Sequence, residues 1–403
     1  MLSCILPELN FSKGIRMLRL MVTISVCFIA IWTDVAYAKK NKKTWDYPLF
    51  YYQRYEIKGS EDFEKFRFNL RNDPDVSKEL SNNEETGLIS YLLYEDGEVV
   101  VDESDIPQVW QGDWIHNEML LSNSMGKSIV SYITGHAICQ GYISDVDEKL
   151  NDWKVVENTL FQGQVLRDVL NMQAGDDNYV GERLNPQTDN MLKKHPKVNV
   201  NSIHIEELMR KYFQNTKVKK PFFNAKRPKY NYSALSTNVI MNYVRFRVGD
   251  DWESLLTKVF ADHVKVKNGV YILKTVPQNR RREGSDWYQF FMTRDDYLRF
   301  AVALLRDWKS NNCVGQYLKM LYEQRIRKND NVKWATDVGL YTKSYGGQFH
   351  FDIYGIEDRT IFGLSGFAGQ QILIDLDRER ILVVNSTYRN YDWETIVYDR
   401  MKN

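Results

Sequence analysis

Asn123-Ser124-Met125-Gly126-Lys127 opens a run in which Ile129, Val130, Ile133, Ala137 and Ile138 recur at helical spacing, and Gly141 closes it. Residues three apart on a helix share a face, so the Lys127 amine falls beside the Ser124 hydroxyl. A serine hydroxyl is a weak nucleophile at neutral pH and needs a base within hydrogen-bond reach. A lysine serves only where burial or nearby positive charge weakens its hold on the proton. The helix N-terminus adds backbone N–H groups without intrahelical partners, which can donate to a developing oxyanion. Taken alone, the tetrapeptide also describes an N-capping serine with a solvated lysine. It is the only S-x-x-K in the chain, and its surroundings carry the argument.

Upstream, Leu88 to Tyr94 and Glu98 to Val101 read as strands joined at Asp96-Gly97, a dipeptide that favours a tight hairpin. Downstream, Phe161 to Met172, Ile205 to Phe213, Leu235 to Val248 and Arg294 to Trp308 read as helices. Thr360 to Gly363, Gln371 to Asp375 and Arg380 to Asn385 read as strands. Strands at both ends with helices between them predict an α+β fold. The expected form is an α/β sandwich, in which an antiparallel sheet from residues 86–115 and 340–403 is flanked by helices, with a mainly helical region inserted at roughly 140–290.

Apolar residues make up 43% of the 403 and charged residues 27%, as in an ordinary soluble protein. The net charge of +1 argues against a nucleic-acid partner, which calls for a clustered basic excess. Residues 1–38 read as an export signal: Arg16 and Arg19, an apolar run from Leu20 to Trp32, then Ala36-Tyr37-Ala38. The apolar run is too short to span a bilayer, which takes roughly 20 residues. An exported chain, periplasmic or secreted, is therefore expected, tethered to the membrane only if the signal stays uncleaved. Residues 39–85 form an extension of no evident role, and 86–403 the main domain. Cys139 and Cys313 remain after the signal; they either pair or stay as buried thiols, and the buried-thiol reading is favoured. No Cys/His spacing suggests a metal site. The six histidines, at 116, 136, 195, 204, 263 and 350, are scattered and read as structural.

The order of a first hairpin, then S-x-x-K at a helix start, resembles the serine β-lactamase and penicillin-binding-protein superfamily. The branch it looks most like includes class C β-lactamases, carboxylesterases and nylon-oligomer amide hydrolases. The resemblance extends through Gly141 to Asp147 and Leu170 to Gly175. The family's Y-x-N motif is matched by Tyr232-Ser233-Ala234, with Tyr230 as a rival tyrosine and Ala234 where the amide is usual. Its K/H-S/T-G motif is matched by Leu364-Ser365-Gly366, with Leu364 in place of the cation that helps bind a substrate carboxylate.

The resemblance implies a Ser124 acyl-enzyme, with Lys127 and Tyr232 moving the protons and water as the final acceptor. The oxyanion would be held by the N–H groups of Ser124 and Phe367, with Ser365 and Gly366 lining the substrate site. Neither a metal nor an organic cofactor is implied. The expected substrate is a small ester, amide or peptide-like molecule. A β-lactamase, a peptidoglycan DD-peptidase and a catalytically inactive binding protein of the same fold are the alternatives.

Overall fold

Strand β1 (Arg54–Ile57) and strand β2 (Arg67–Phe68) precede helix α1 (Pro74–Ser81). Asp73 caps α1 by accepting from the N–H groups of Asp75 and Val76. The expected hairpin follows as β3 (Leu88–Glu95) and β4 (Glu98–Ser104). Asp96 and Gly97 take φ of 50° and 85°, the pair of positive values that a tight two-residue turn requires. Next come β5 (Leu120–Leu121) and helix α2 (Met125–Cys139), with Ser124 at the N-cap. A small pair, β6 (Met191–Leu192) and β7 (His195–Asn199), precedes helix α3 (Ala234–Val248). Strands β8 (Val270–Lys274) and β9 (Asp286–Met292) lead into helix α4 (Arg294–Ser310) and helix α5 (Cys313–Glu323). The remaining strands are β10 (Ile326–Arg327), β11 (Thr342–Gly346), β12 (Phe349–Ile353), β13 (Ile361–Gly366), β14 (Gln370–Asp375) and β15 (Arg380–Ser386). This computed structural model describes residues 53–106, 119–181, 191–216, 229–275, 284–328, 341–387 and 389–403.

Nine of these strands make one sheet, in the order β10-β11-β12-β13-β14-β15-β3-β4-β2. It is antiparallel except where β2 joins β4. The two ends of the chain meet at its centre, where β15 pairs with β3 in the register Leu93↔Leu382 and Tyr91↔Val384. One face buries Leu93, Leu373, Leu382 and Val384 against Val76 and Leu80 of α1 and against Ile396, Val397 and Met401 near the C-terminus. Each such side chain contributes about 1.5–3 kcal/mol of transfer free energy. Arg400 closes this layer by holding Asp73 at 2.8 Å and Asp75 at 2.7 Å. Arg294, at the start of α4, ties that helix to the hairpin through Ser90 Oγ, the carbonyls of Tyr91 and Glu103, and Asp102.

A second antiparallel sheet, β1-β8-β9-β5, lies in sequence partly within the region expected to be helical. Residues 140–290, expected to be mainly helical, also supply β6 to β8 and most of β9. The helix expected over Phe161 to Met172 contracts to Leu166–Leu170. Gly163 takes φ of 78°, and its N–H donates to the Leu150 carbonyl in place of a helical partner. The described part of the 39–85 extension joins both sheets, and Tyr55 donates to the buried Asp286 at 3.1 Å.

Cys139 at the end of α2 and Cys313 at the start of α5 form a disulfide, which corrects the buried-thiol reading. Spacing gave no hint of it, because the partners are 174 residues apart and only the packing of α2 on α5 brings them together. The export signal, the first part of the extension, residues 107–115 of the expected sheet and His116 lie outside the described residues. No described helix is long and apolar enough to cross a membrane.

Candidate active site

Strand β5 delivers Ser124. It pairs with β9, and Ser122 prolongs the contact by exchanging bonds with Phe290: Ser122 N–H to the Phe290 carbonyl at 2.8 Å, and Phe290 N–H to Ser122 Oγ at 3.1 Å. Asn123 then takes φ of 47°, an uncommon value for a residue with a side chain, and α2 begins at once. Gly126 sits in the first turn because nothing larger fits: a Cβ there would stand 1.9 Å from the Tyr288 carbonyl oxygen. The helix N-terminus is therefore pressed onto β9.

Lys127 Nζ donates to Ser124 Oγ at 3.0 Å. The lysine is 2% exposed, whereas Ser124 is only partly covered. Two aromatic faces flank the amine, with the ring centroid of Tyr288 at 3.9 Å and that of Tyr232 at 4.8 Å. Such rings attract a cation through their quadrupole, and they keep the amine beside the hydroxyl. Tyr232 thus reaches the Ser124–Lys127 pair across more than a hundred residues of sequence. Its rival, Tyr230, is buried against Met172 and Tyr345.

A polar anchor sets the position of Tyr232. Asn231 N–H donates to the Met172 carbonyl at 2.8 Å. The Ser233 hydroxyl both caps α3 and donates to Asp176 Oδ2 at 2.5 Å, and Ser236 donates to the same oxygen at 3.3 Å. Burial pushes the Asp176 carboxyl up to about 6, against the opposing pull of the Ser233 hydrogen bond. Ala234, where the resemblance expects an amide, is buried as the first residue of α3.

Strand β13 brings its end to the same place. A Cβ on Gly366 would lie 2.8 Å from the Ser122 carbonyl oxygen and 3.2 Å from Asn123 Cβ. Asn123 Nδ2 donates to the Phe367 carbonyl at 3.3 Å. Alternation puts Leu364 on the same face as Gly366, fully buried, and Ser365 on the other, also buried. The Phe367 side chain is 55% exposed. The turn after it is held in place: Ala368 adopts φ of 69°, Ser386 Oγ donates to the Ala368 carbonyl, and Tyr391 donates to the Gly369 carbonyl at 2.5 Å.

Ser124, Lys127, Tyr232, Gly366 and Phe367 therefore converge. No sequence pattern pointed to Tyr288, whose strand was not anticipated, nor to the group behind Tyr232. There the rings of Tyr345 and His350 lie 6.1 Å and 6.3 Å from the Tyr232 ring, and the buried Lys328 Nζ lies 3.0 Å from His350 Nδ1. A hydroxyl paired with a buried amine, beside a phenol and the backbone of a strand end, can accept an acyl group and move its protons.

No protein-family model matches the chain, and no curated protein sequence does. Solved structures do. A candidate 6-aminohexanoate-dimer hydrolase of Bacillus anthracis matches at a TM-score of 0.60 and 15% identity, over 89% of this chain and 92% of that one. A candidate β-lactamase of Bacteroides dorei matches at 0.59 and 12%, over 82% and 98%. EstCE1, a hydrolase with promiscuous acyltransferase activity, matches at 0.57 and 10%, over 82% and 98%. At these identities the likeness is one of fold. With its antiparallel sheets, its flanking helices and its match to these structures over 82–89% of its length, the chain has a β-lactamase/transpeptidase-like fold.

Proposed function

We propose that the protein is an exported serine hydrolase that cleaves a small ester or amide through a Ser124 acyl-enzyme. The observation that carries this reading is the 3.0 Å hydrogen bond from a buried Lys127 to a reachable Ser124 hydroxyl. The amine is held there by the Ser124 hydroxyl and flanked by the faces of Tyr232 and Tyr288, which keep it within proton-transfer distance of Oγ. In the proposed reaction Ser124 Oγ attacks the carbonyl carbon while its proton passes to Lys127. Tyr232 relays that proton to the leaving group. The tetrahedral oxyanion accepts hydrogen bonds from the Ser124 and Phe367 N–H groups, and collapse expels the alcohol or amine. Water then attacks the acyl-enzyme with Lys127 and Tyr232 as its base, and Ser124 leaves with its proton restored.

Leu364 favours an uncharged substrate over a penicillin-type carboxylate, because the face of β13 that meets Ser122 and Asn123 carries a buried apolar side chain where a cation would be needed. The Cys139–Cys313 disulfide supports an oxidising compartment, consistent with export.

The test is to label the full mature chain with a fluorophosphonate and map the adduct by mass spectrometry. A single adduct on Ser124, absent from Ser124→Ala, is expected; an adduct on another residue overturns the assignment. Nitrocefin turnover at an enzymatic rate would move the protein to the β-lactamase reading. Retention of the biological role by Ser124→Ala would move it to the binding-protein reading.

A further inference from the structure

At the far end of α2, twelve residues and about 18 Å of helix from Ser124, a second cluster of chemically competent side chains begins one helical turn before Cys139. His136 on α2, His263 in the helical segment Lys258–Val264 and Asp307 on α4 each turn one potential ligand atom toward the others, all within 4.8 Å of one another. We propose that these three residues form a binding site for one zinc-type divalent cation.

Three features support the proposal. The donor set is two imidazoles and one carboxylate, which suits zinc and leaves a fourth position for water. His136 Nε2 is buried, on a residue 7% exposed, and makes no hydrogen bond among the described residues. Buried polar atoms in folded proteins are otherwise nearly always partnered, so this nitrogen calls for a ligand beyond the described side chains.

The carboxylate, finally, is already oriented from outside the cluster. Tyr132 donates to Asp307 Oδ2 at 2.5 Å, and Asn312 Nδ2 donates to Oδ1 at 2.8 Å. Outer partners of this kind fix a ligating group and tune its basicity. Arg306 in turn donates to the His263 carbonyl at 2.5 Å and steadies that segment. Tetrahedral bonds of about 2.0–2.1 Å put ligand atoms roughly 3.3 Å apart. His263 Nε2 and the Asp307 oxygens, now at 2.8 and 3.0 Å, would open slightly, and the His136 ring would swing inward by one to two ångströms, on the order of a side-chain rotation. The cation would join α2, α4 and the Lys258–Val264 segment at the point where the disulfide already joins α2 to α5, and would stiffen the helix that presents Ser124.

The test uses the full mature chain, stripped with a chelator and dialysed against zinc. The expected result is one tightly held zinc per chain, a rise in Tm on zinc addition, and binding weakened at least tenfold in His136→Gln. That substitution leaves the Asp307 hydrogen bonds in place. A wild-type chain that holds no more zinc than His136→Gln, or whose Tm is indifferent to zinc, overturns the proposal and leaves a plain hydrogen-bonded His–Asp pair. Should the variant fail to fold, cobalt(II) loading of the wild type decides. Intense visible bands of a four-coordinate ion uphold the site, and only the weak bands of a six-coordinate ion refute it. Neither outcome depends on whether Ser124 is the nucleophile.

Discussion

Lys127 is the residue on which the proposed chemistry turns. Its amine sits at 3.0 Å from Ser124 and between the rings of Tyr232 and Tyr288. Lys127→Met fills nearly the same space with an apolar chain, so the fold should survive. Hydrolysis of a reporter ester should fall by a thousandfold or so, since members of a catalytic unit fail together. Steady-state kinetics alongside thermal unfolding checks both halves, and an active Lys127→Met excludes the lysine as base. Asp176 makes a different prediction. Its carboxyl releases its proton near pH 6 in the folded chain against 3.8 in the unfolded one. Between those values the folded state holds the extra proton, so stability from this group is greatest below about pH 4 and is lost as pH rises through 6. The loss is about 3 kcal/mol at most, at 1.36 kcal/mol per pKa unit. Asp176→Asn should therefore gain stability relative to wild type as pH climbs from 4 to 7, and Tm measured across that range would show it. A constant difference would mean that the carboxyl does not carry the shift.

At the scale of elements, the site depends on how closely α2 approaches β9. Gly126 permits that contact, and a methyl group there would meet the Tyr288 carbonyl at 1.9 Å. Gly126→Ala should cost 1–3 kcal/mol or more of stability through overpacking. It should also lower turnover by displacing Ser124 from β13, read as a fall in both denaturation midpoint and kcat. Unchanged values for both would mean that the helix can back away freely. The S-x-x-K spacing was legible because i, i+3 geometry is local to one helix turn. Tyr288 was not, because a strand reveals its neighbours only through its pairing. The β1-β8-β9-β5 sheet joins segments more than two hundred residues apart, and its strands carry no strong alternation of apolar and polar residues to announce them.

At the scale of the whole molecule, the Cys139–Cys313 bridge closes a span of 174 residues that contains α3, β8 and β9. A cross-link over so long a loop chiefly restricts the unfolded chain and is worth about 2–5 kcal/mol. The Cys139→Ser/Cys313→Ser pair should unfold at correspondingly lower denaturant, and a reductant should bring the wild type to the same midpoint. Equal midpoints for oxidised and reduced wild type would show that the bridge contributes nothing. Reduction should leave the geometry of Ser124 and Lys127 intact, since the bridge joins the opposite end of α2.

The sequence by itself determined what local periodicity and short spacing encode. That comprises the first hairpin with its Asp96-Gly97 turn, the helix opened by Ser124 and Lys127, helices α3 and α4, and the last two strands. The resemblance carried by those pieces named the fold. Tertiary structure alone decided what depends on contacts distant in the chain: the second sheet, the disulfide, the packing of the Tyr232 ring against the Lys127 amine, and the gathering of His136, His263 and Asp307. The physical reason is common to all four. Hydrogen-bonded turns repeat every few residues and leave a pattern in the sequence, whereas side chains that meet across two packed elements need share no spacing at all.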